Sequence, residues 1–435
     1  MLRQTLARKV KHLCDDAFLF AVAVLGFDPN VMFQLGRLQM KKLMMATAAT
    51  ALMAGAAMAE DVKLGVILGF TGPIESLTPA MADGAEVAME EVSKSGMLLG
   101  GLTVTPVRAD STCVDAGAAS AAAERLITGD KVSGIMGADC SGVTGAVLNN
   151  VAVPNGMVMI SPSATSPGLS HLNDEDKGLF FRTAPSDARQ GQVLADVLIE
   201  RGFKSAAITY TNNDYGKGLA DSIAAAYEAA GGEVTATAAH EDGKADYSAE
   251  VGALAAAGGD ILIVAGYVDQ GGPGVIRAAL DSGAFDTFAL PDGMIGTALE
   301  ETFGDEIDGS IGTVPGSDAA DPQVVLDAVA ARGSDASGPY IGESYDAAAL
   351  ILLAMQAAGS TNAGDYAAKI TEVANAPGEP IKAGELAKGL EILKNGGDID
   401  YVGATAVELI GPGEAAGGYR EIEIKGGKME TAKYR

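Results

Sequence analysis

In "GADCSGVTGAVL" (137–148) a cysteine stands directly before a serine, where an apolar run gives way to a helix-like one. A thiol at a helix start can have a depressed pKa and act as a nucleophile. Cys140 could equally be half of a disulfide, leaving Ser141 to meet a ligand. Further on, "SPSATSP" (161–167) gathers Ser161, Ser163, Thr165 and Ser166 at the end of another apolar run. Hydroxyls and free backbone N–H groups at helix starts form a cradle for a carboxylate, although plain N-capping would account for any one of them. In the second half of the chain, Tyr215 opens a helix-like run in "NDYGKG". Tyr267 and Asp292 stand at strand ends in "AGYVDQGG" and "LPDGMIG". Hydroxyls that seek an anion and a carboxylate that seeks a cation would together suit a zwitterion.

Signatures of enzyme chemistry are few. There is no G-x-x-x-x-G-K-[ST] phosphate loop, no H-E-x-x-H, and no early strand followed by G-x-G-x-x-G. Past residue 59 the only histidines are His171 and His240, which are poor material for a zinc site or a Ser-His-Asp triad. Neither cysteine of that region has a histidine near it in sequence. No metal, no cofactor and no catalytic residue are expected.

These residues need elements to hold them. From Val62 short apolar runs alternate with amphipathic ones: "VKLGVILGF" (62–70), "PAMADGAEVAMEEVSKSG" (79–96), "LTVTPVRAD" (102–110), "DAGAASAAAERLITGD" (115–130) and "VSGIMG" (132–137). That alternation predicts a parallel sheet covered by helices on both faces. The series breaks at 163–187, a long loop-like stretch with one short apolar piece. It then resumes with a helix over 191–202, a strand over 205–214, and so on to a strand over 287–293. The chain is expected to cross back near Gly309–Asp318, and the tail 406–435 reads as a β-hairpin. The expectation is α/β: two doubly wound, Rossmann-like lobes joined by several crossovers, with a cleft between them. The expected boundaries are 60–181 plus 313–403 for the first lobe and 182–312 plus 404–435 for the second.

Composition narrows the function. The net charge is −27 over 435 residues. Residues 1–59 hold seven Lys/Arg and three Asp/Glu, so the remainder is more acidic still. Such a surface repels nucleic acid and anionic lipid. The segment "MKKLMMATAATALMAGAAMAE" from Met40 carries a basic start, a short apolar run and an Ala57-Met58-Ala59 cleavage pattern. This is the pattern of a secretory signal peptide over 40–59. Residues 1–39 then read as a start placed too early or as an extension. The mature chain is expected to begin at Glu60, outside the cytoplasm. Cys14 falls in the removed part, which leaves Cys113 and Cys140 in an oxidising compartment, where pairing is the default. A catalytic thiol is the alternative.

The chain from about Val62 onward resembles the periplasmic leucine/isoleucine/valine-binding proteins of ABC transporters. The resemblance rests on "GVILGFTGP", "DSTCVD", "GADCSGVTG", "ISPSATSP", "FRTAPSD", "NDYGKGLA", "VAGYVDQGG" and "LPDG", in that order. It implies the type I binding-protein fold, a first-lobe disulfide between Cys113 and Cys140, and no enzymatic activity. It further implies that Ser141, Ser163 and Thr165 hold a ligand α-carboxylate, with backbone groups at Ser163 sharing the work and Ala164 also among the ligand-binding residues. Asp292 and Tyr267 would then face the α-ammonium, and Tyr215 would close over the ligand. The chain departs from the family twice: Leu77 stands where an aromatic is common, and Asp292 where glutamate is common. The implied partners are a small amino acid, branched-chain or otherwise aliphatic, and the membrane permease subunits of an ABC importer, with the protein itself a monomer. A detached sensor of the same fold, or a binder of urea, amides or aromatic acids, is the alternative. A secreted hydrolase would need a nucleophile motif that the chain lacks.

Overall fold

Strand order is the same in both halves of the molecule. In the computed structural model, which describes residues 61–171 and 176–435, β1 (Val62–Leu68), β2 (Val104–Asp110), β3 (Gly134–Gly137), β4 (Met159–Ser161) and β5 (Phe180–Arg182) lie in the order β2-β1-β3-β4-β5. The strands β6 (Ser205–Thr211), β7 (Glu233–His240), β8 (Ile261–Ala265), β9 (Phe288–Leu290) and β10 (Ile311–Pro315) lie in the order β7-β6-β8-β9-β10. Every pairing within these two sets is parallel. Parallel strands need crossover helices, and the helices bury both faces. That is why β1 and β8 read as nearly unbroken apolar runs. The two sheets define two α/β lobes.

Capping sets where the helices begin. Asp115 accepts from the N–H groups of Gly117 and Ala118, and Ser186 from that of Ala188. Asn213 accepts from the N–H of Gly216. Each satisfies donors that a helix start leaves free. The helix Ile341–Ala358 is buried from Ile341 to Gln356 and packs on Thr78–Ser95. Gly84 allows that approach, since a Cβ there would stand 2.5 Å from the Ile341 carbonyl oxygen.

The expected lobe boundaries shift in three places. Arg182 belongs to β5 in the first sheet, and Thr313 to β10 in the second. The segment after 403 stays with the first lobe for longer than expected. There β13 (Leu409–Ile410) and β14 (Glu414–Ala415) extend the first sheet, with Glu414 paired to Arg182. Arg182 Nη2 also donates to Glu414 Oε2 at 2.5 Å. A buried guanidinium demands such a partner, so it ties the returning chain to β5. Only then do β15 (Tyr419–Lys425) and β16 (Lys428–Tyr434) form the hairpin, antiparallel on β10. A separate pair, β11 (Glu379–Lys382) and β12 (Ile399–Gly403), packs beside the first lobe.

The short apolar piece inside the loop-like stretch is β5, and the helix after it begins at Asp187, earlier than 191. Among the described residues no helix is long and apolar enough to cross a membrane, and no cluster suited to a metal ion is found. The expected signal peptide at 40–59, the segment 1–39 and Cys14 lie outside the described residues.

Candidate functional site

In an open sheet of order 2-1-3-4-5, loops diverge beyond the carboxyl ends of strands 1 and 3, and the crevice there receives ligands. This protein has two such points, after β1/β3 and after β6/β8. The singled-out residues fall on the loops at and beside them.

In the first lobe, Asp139 is the organiser. Its carboxylate accepts from the Gly69 N–H at 2.6 Å and from the Ser111 hydroxyl at 2.9 Å, joining the loops after β1, β2 and β3. Burial pushes its pKa up, against these hydrogen bonds. Beside it, Cys113 and Cys140 form the expected disulfide. Ser141 therefore starts its helix from a pinned loop. The Ser141 hydroxyl accepts from the Ser166 N–H at 3.1 Å, and the Ser163 hydroxyl donates to the Asp139 carbonyl at 3.1 Å. Ser161 laces the same loops by donating to the Ala138 carbonyl and accepting from the Ala164 N–H.

In the second lobe, the carboxylate of Asp292 is almost fully buried. Tyr215 donates to its Oδ1 at 3.1 Å and Tyr340 to its Oδ2 at 2.6 Å. Tyr215 stacks on Tyr267, with ring centroids 5.1 Å apart, and its hydroxyl accepts from the Gly293 N–H. Burial, then the charge of Asp292, holds the Tyr215 phenol well above its ordinary pKa, so it stays a neutral donor. Burial likewise raises Asp292, while Tyr340, Gln190 and Tyr215 pull it down.

Ile74, Leu77 and Met81 supply an apolar wall between these two sets. Together with Ser141, Ser163, Tyr215, Tyr267, Asp292 and Tyr340 they line a cavity of about 30 Å³. The lobes touch across the opening, where Ser76 N–H donates to Asp269 Oδ2 at 2.8 Å and Asp269 N–H to the Pro73 carbonyl at 3.1 Å. The form is closed.

Six of the eight expected ligand residues thus share one cavity: Leu77, Ser141, Ser163, Tyr215, Tyr267 and Asp292. Two do not line it. Ala164 is buried with both backbone groups engaged, its N–H on Ser161 and its carbonyl on Arg182. Thr165 is fully buried, and its hydroxyl lies against Asp187.

Ile74, Met81, Asp139 and Tyr340 on the cavity wall, and Asp187 behind it, went unassigned in the sequence. Asp187 is fully buried, and neither of its carboxylate oxygens has a hydrogen-bond partner among the described residues. Burial and the neighbouring Asp292 drive its pKa well up, against the Thr165 hydroxyl and the Arg182 charge. An acid in a first helical turn is commonplace, so no local signal marks it. Tyr340 arrives from the crossover before the helix Ile341–Ala358, far from the strand ends that carry the other residues. His240 bonds Thr209 at 2.8 Å and is not on the cavity wall.

Chemically, the cavity offers the Ser141 and Ser163 hydroxyls beside the buried Asp139 on the first-lobe side, the buried Asp292 on the second-lobe side, and an apolar patch between. Comparison with known proteins gives the family. A Leu/Ile/Val-binding protein homolog of Brucella melitensis is 31% identical over 344 residues, covering 78% of this chain and 89% of its own length. The leucine-, isoleucine-, valine-, threonine- and alanine-binding protein of Pseudomonas aeruginosa is 27% identical over 330 residues, 75% of this chain and 86% of its own. Among solved structures, a leucine-binding protein of Thermotoga maritima superposes with a TM-score of 0.70 at 22% identity, covering 86% of this chain and 98% of its own. A solute-binding protein of R. palustris in complex with 4-hydroxybenzoate gives 0.69 at 19%, covering 86% and 97%. At such identities the two structures speak for the fold alone. The sequence profile of the periplasmic binding proteins matches residues 61–384, well over half the chain, and the chain belongs to that family.

Proposed function

We propose that this protein captures an aliphatic α-amino acid outside the cytoplasm by closure of its lobes and delivers it to an ABC importer. The observation that carries the reading is the opposition of the Ser141 and Ser163 hydroxyls to the buried carboxylate of Asp292 across one small cavity. The serines hold the ligand carboxylate, the Ser163 hydroxyl turning to it from the Asp139 carbonyl. Asp292 and Tyr267 take the ammonium, with Asp187 and the Thr165 hydroxyl close behind. Tyr215 covers the ligand from the second lobe. The side chain rests on Ile74, Leu77 and Met81.

Electrostatics favours an amino acid over urea, an amide or an aromatic acid. Asp292 is a carboxylate taken out of water, which is costly unless it is protonated or a cation pairs with it. A ligand ammonium does so, whereas a neutral amide or a benzoate does not. The names of the Brucella and Pseudomonas relatives support an aliphatic side chain. The Met40–Ala59 segment supports export, and the ligand's differential contacts with the closed form supply the switch that a permease reads. The test is a calorimetric titration of the chain from Glu60, unfolded and refolded to strip bound ligand. Tight binding of leucine, isoleucine or valine is expected. Silence across the amino acids, with heat from an amide or an aromatic acid, overturns the zwitterion site.

A further inference from the structure

Tyr340 is a wall of two cavities. On one side lies the ligand cavity. On the other lies a larger, partly open space of about 320 Å³ at the crossovers, bounded by Pro315, Leu326, Glu343, Thr405 and Arg420. The two share no other lining residue. Tyr340 is 6% exposed, and its hydroxyl is fixed by the 2.6 Å bond to Asp292. The ring is therefore held in place as a partition. Leu77 closes the neighbouring gap, its Cδ2 standing 3.7 Å from where a Cβ on Gly338 would be, and Gly338 already faces the larger cavity.

With the ammonium at Asp292 and the carboxylate at Ser141 and Ser163, a ligand side chain is left with Ile74, Leu77, Met81 and the Tyr340 ring. Beyond that ring there is room for several more heavy atoms. We propose that Tyr340 sets the size limit of the site: it stops the ligand cavity short of the crossover cavity and so restricts the ligand to a side chain of aliphatic length. This rests on the amino-acid reading of the site.

The experiment is a titration of leucine and phenylalanine against the wild type, Tyr340→Phe, Tyr340→Leu and Tyr340→Gly. The backbone at Tyr340 is left-handed, with φ 66°. Glycine adopts that conformation without strain, so Tyr340→Gly removes the ring with least harm to the turn, and Tyr340→Leu keeps an apolar cover should the glycine variant not fold. Wild type is expected to prefer leucine. Tyr340→Gly lowers the leucine-to-phenylalanine affinity ratio about tenfold or more, and Tyr340→Leu moves it in the same direction. Tyr340→Phe keeps the ring, loses the bond to Asp292, and weakens both ligands alike. An unchanged ratio in the folded glycine and leucine variants overturns the partition while leaving the amino-acid reading intact, as does a wild type that binds phenylalanine as tightly as leucine. A wild type silent to every amino acid overturns the reading itself, and the partition with it.

Discussion

The carboxylate of Asp269, on the second lobe, accepts a 2.8 Å hydrogen bond from the backbone N–H of Ser76, on the first. Ser76 is next to Leu77 on the cavity wall, so the bond forms only when the lobes meet over the ligand. A hydrogen bond to an ionised group contributes about 1.5–3 kcal/mol when shielded, and less where water competes. Asp269 is half-buried, and the expected effect of Asp269→Ala is at the lower end: ligand dissociation about tenfold faster, with the association rate little changed. Stopped-flow displacement measures both rates. An unchanged dissociation rate would mean that closure does not depend on this contact.

Asp292 and Asp187 should answer differently to the same substitution. Asp292→Asn removes the charge that faces the ligand, and breaking a buried charge pair costs about 2–5 kcal/mol. Affinity for leucine should fall by about 30-fold to a few thousandfold. Asp187→Asn also weakens leucine, by about tenfold, because its charge stands one step further from the ammonium. Yet it should raise the melting temperature of the ligand-free protein, since it removes a buried carboxylate whose oxygens lack partners. Calorimetry and thermal melts on the same preparations separate the two effects. If Asp292→Asn binds like wild type, the ammonium lies elsewhere.

Cys113→Ser bears on stability more than on affinity. The bond to Cys140 spans 27 residues, and closing such a loop restricts the unfolded chain by about 3.5 kcal/mol in the entropy model. The loops it joins are also tied by Asp139, which holds Gly69 and Ser111 without the disulfide. The variant should melt well below the wild type and bind leucine within about threefold. A large loss of affinity with little loss of stability would assign the disulfide to the ligand cradle instead.

The strand ends are legible in the sequence because a parallel sheet buried on both faces writes its strands as apolar runs, and the loop after each run carries the site. Ser141, Tyr215, Tyr267 and Asp292 can be found this way. The two cysteines are readable by elimination, given the expected export. Three things have no local signature. Asp187 looks like any helix-start acid until its burial is known. Tyr340 enters the cavity from a crossover segment, and only the folded path brings it to Asp292. The return of 409–415 to the first sheet depends on a buried ion pair between Arg182 and Glu414, residues too distant in sequence for pattern or propensity to connect.

Glu343 gives the fold a pH dependence of opposite sign to that of an ordinary salt-bridged acid. It sits in the first turn of the crossover helix, and its backbone carbonyl accepts from the Thr183 hydroxyl at 2.8 Å. Burial pushes its carboxyl up to about 7, with Asp346 adding to the shift and Arg420 opposing it. Asp346 and Asp242 are raised to about 6 by burial as well. A group whose folded pKa exceeds its unfolded one favours folding while protonated in both states. That contribution is complete below the unfolded value, near 4.5 for Glu343, and is lost as pH rises through about 7. The ligand-free protein should therefore melt higher at pH 5 than at pH 8, at constant ionic strength. Glu343→Gln, neutral at both, should narrow that difference while leaving the pH 5 melting temperature nearly unchanged. Parallel melting curves for the two proteins across the whole range would show that Glu343 titrates at an ordinary value.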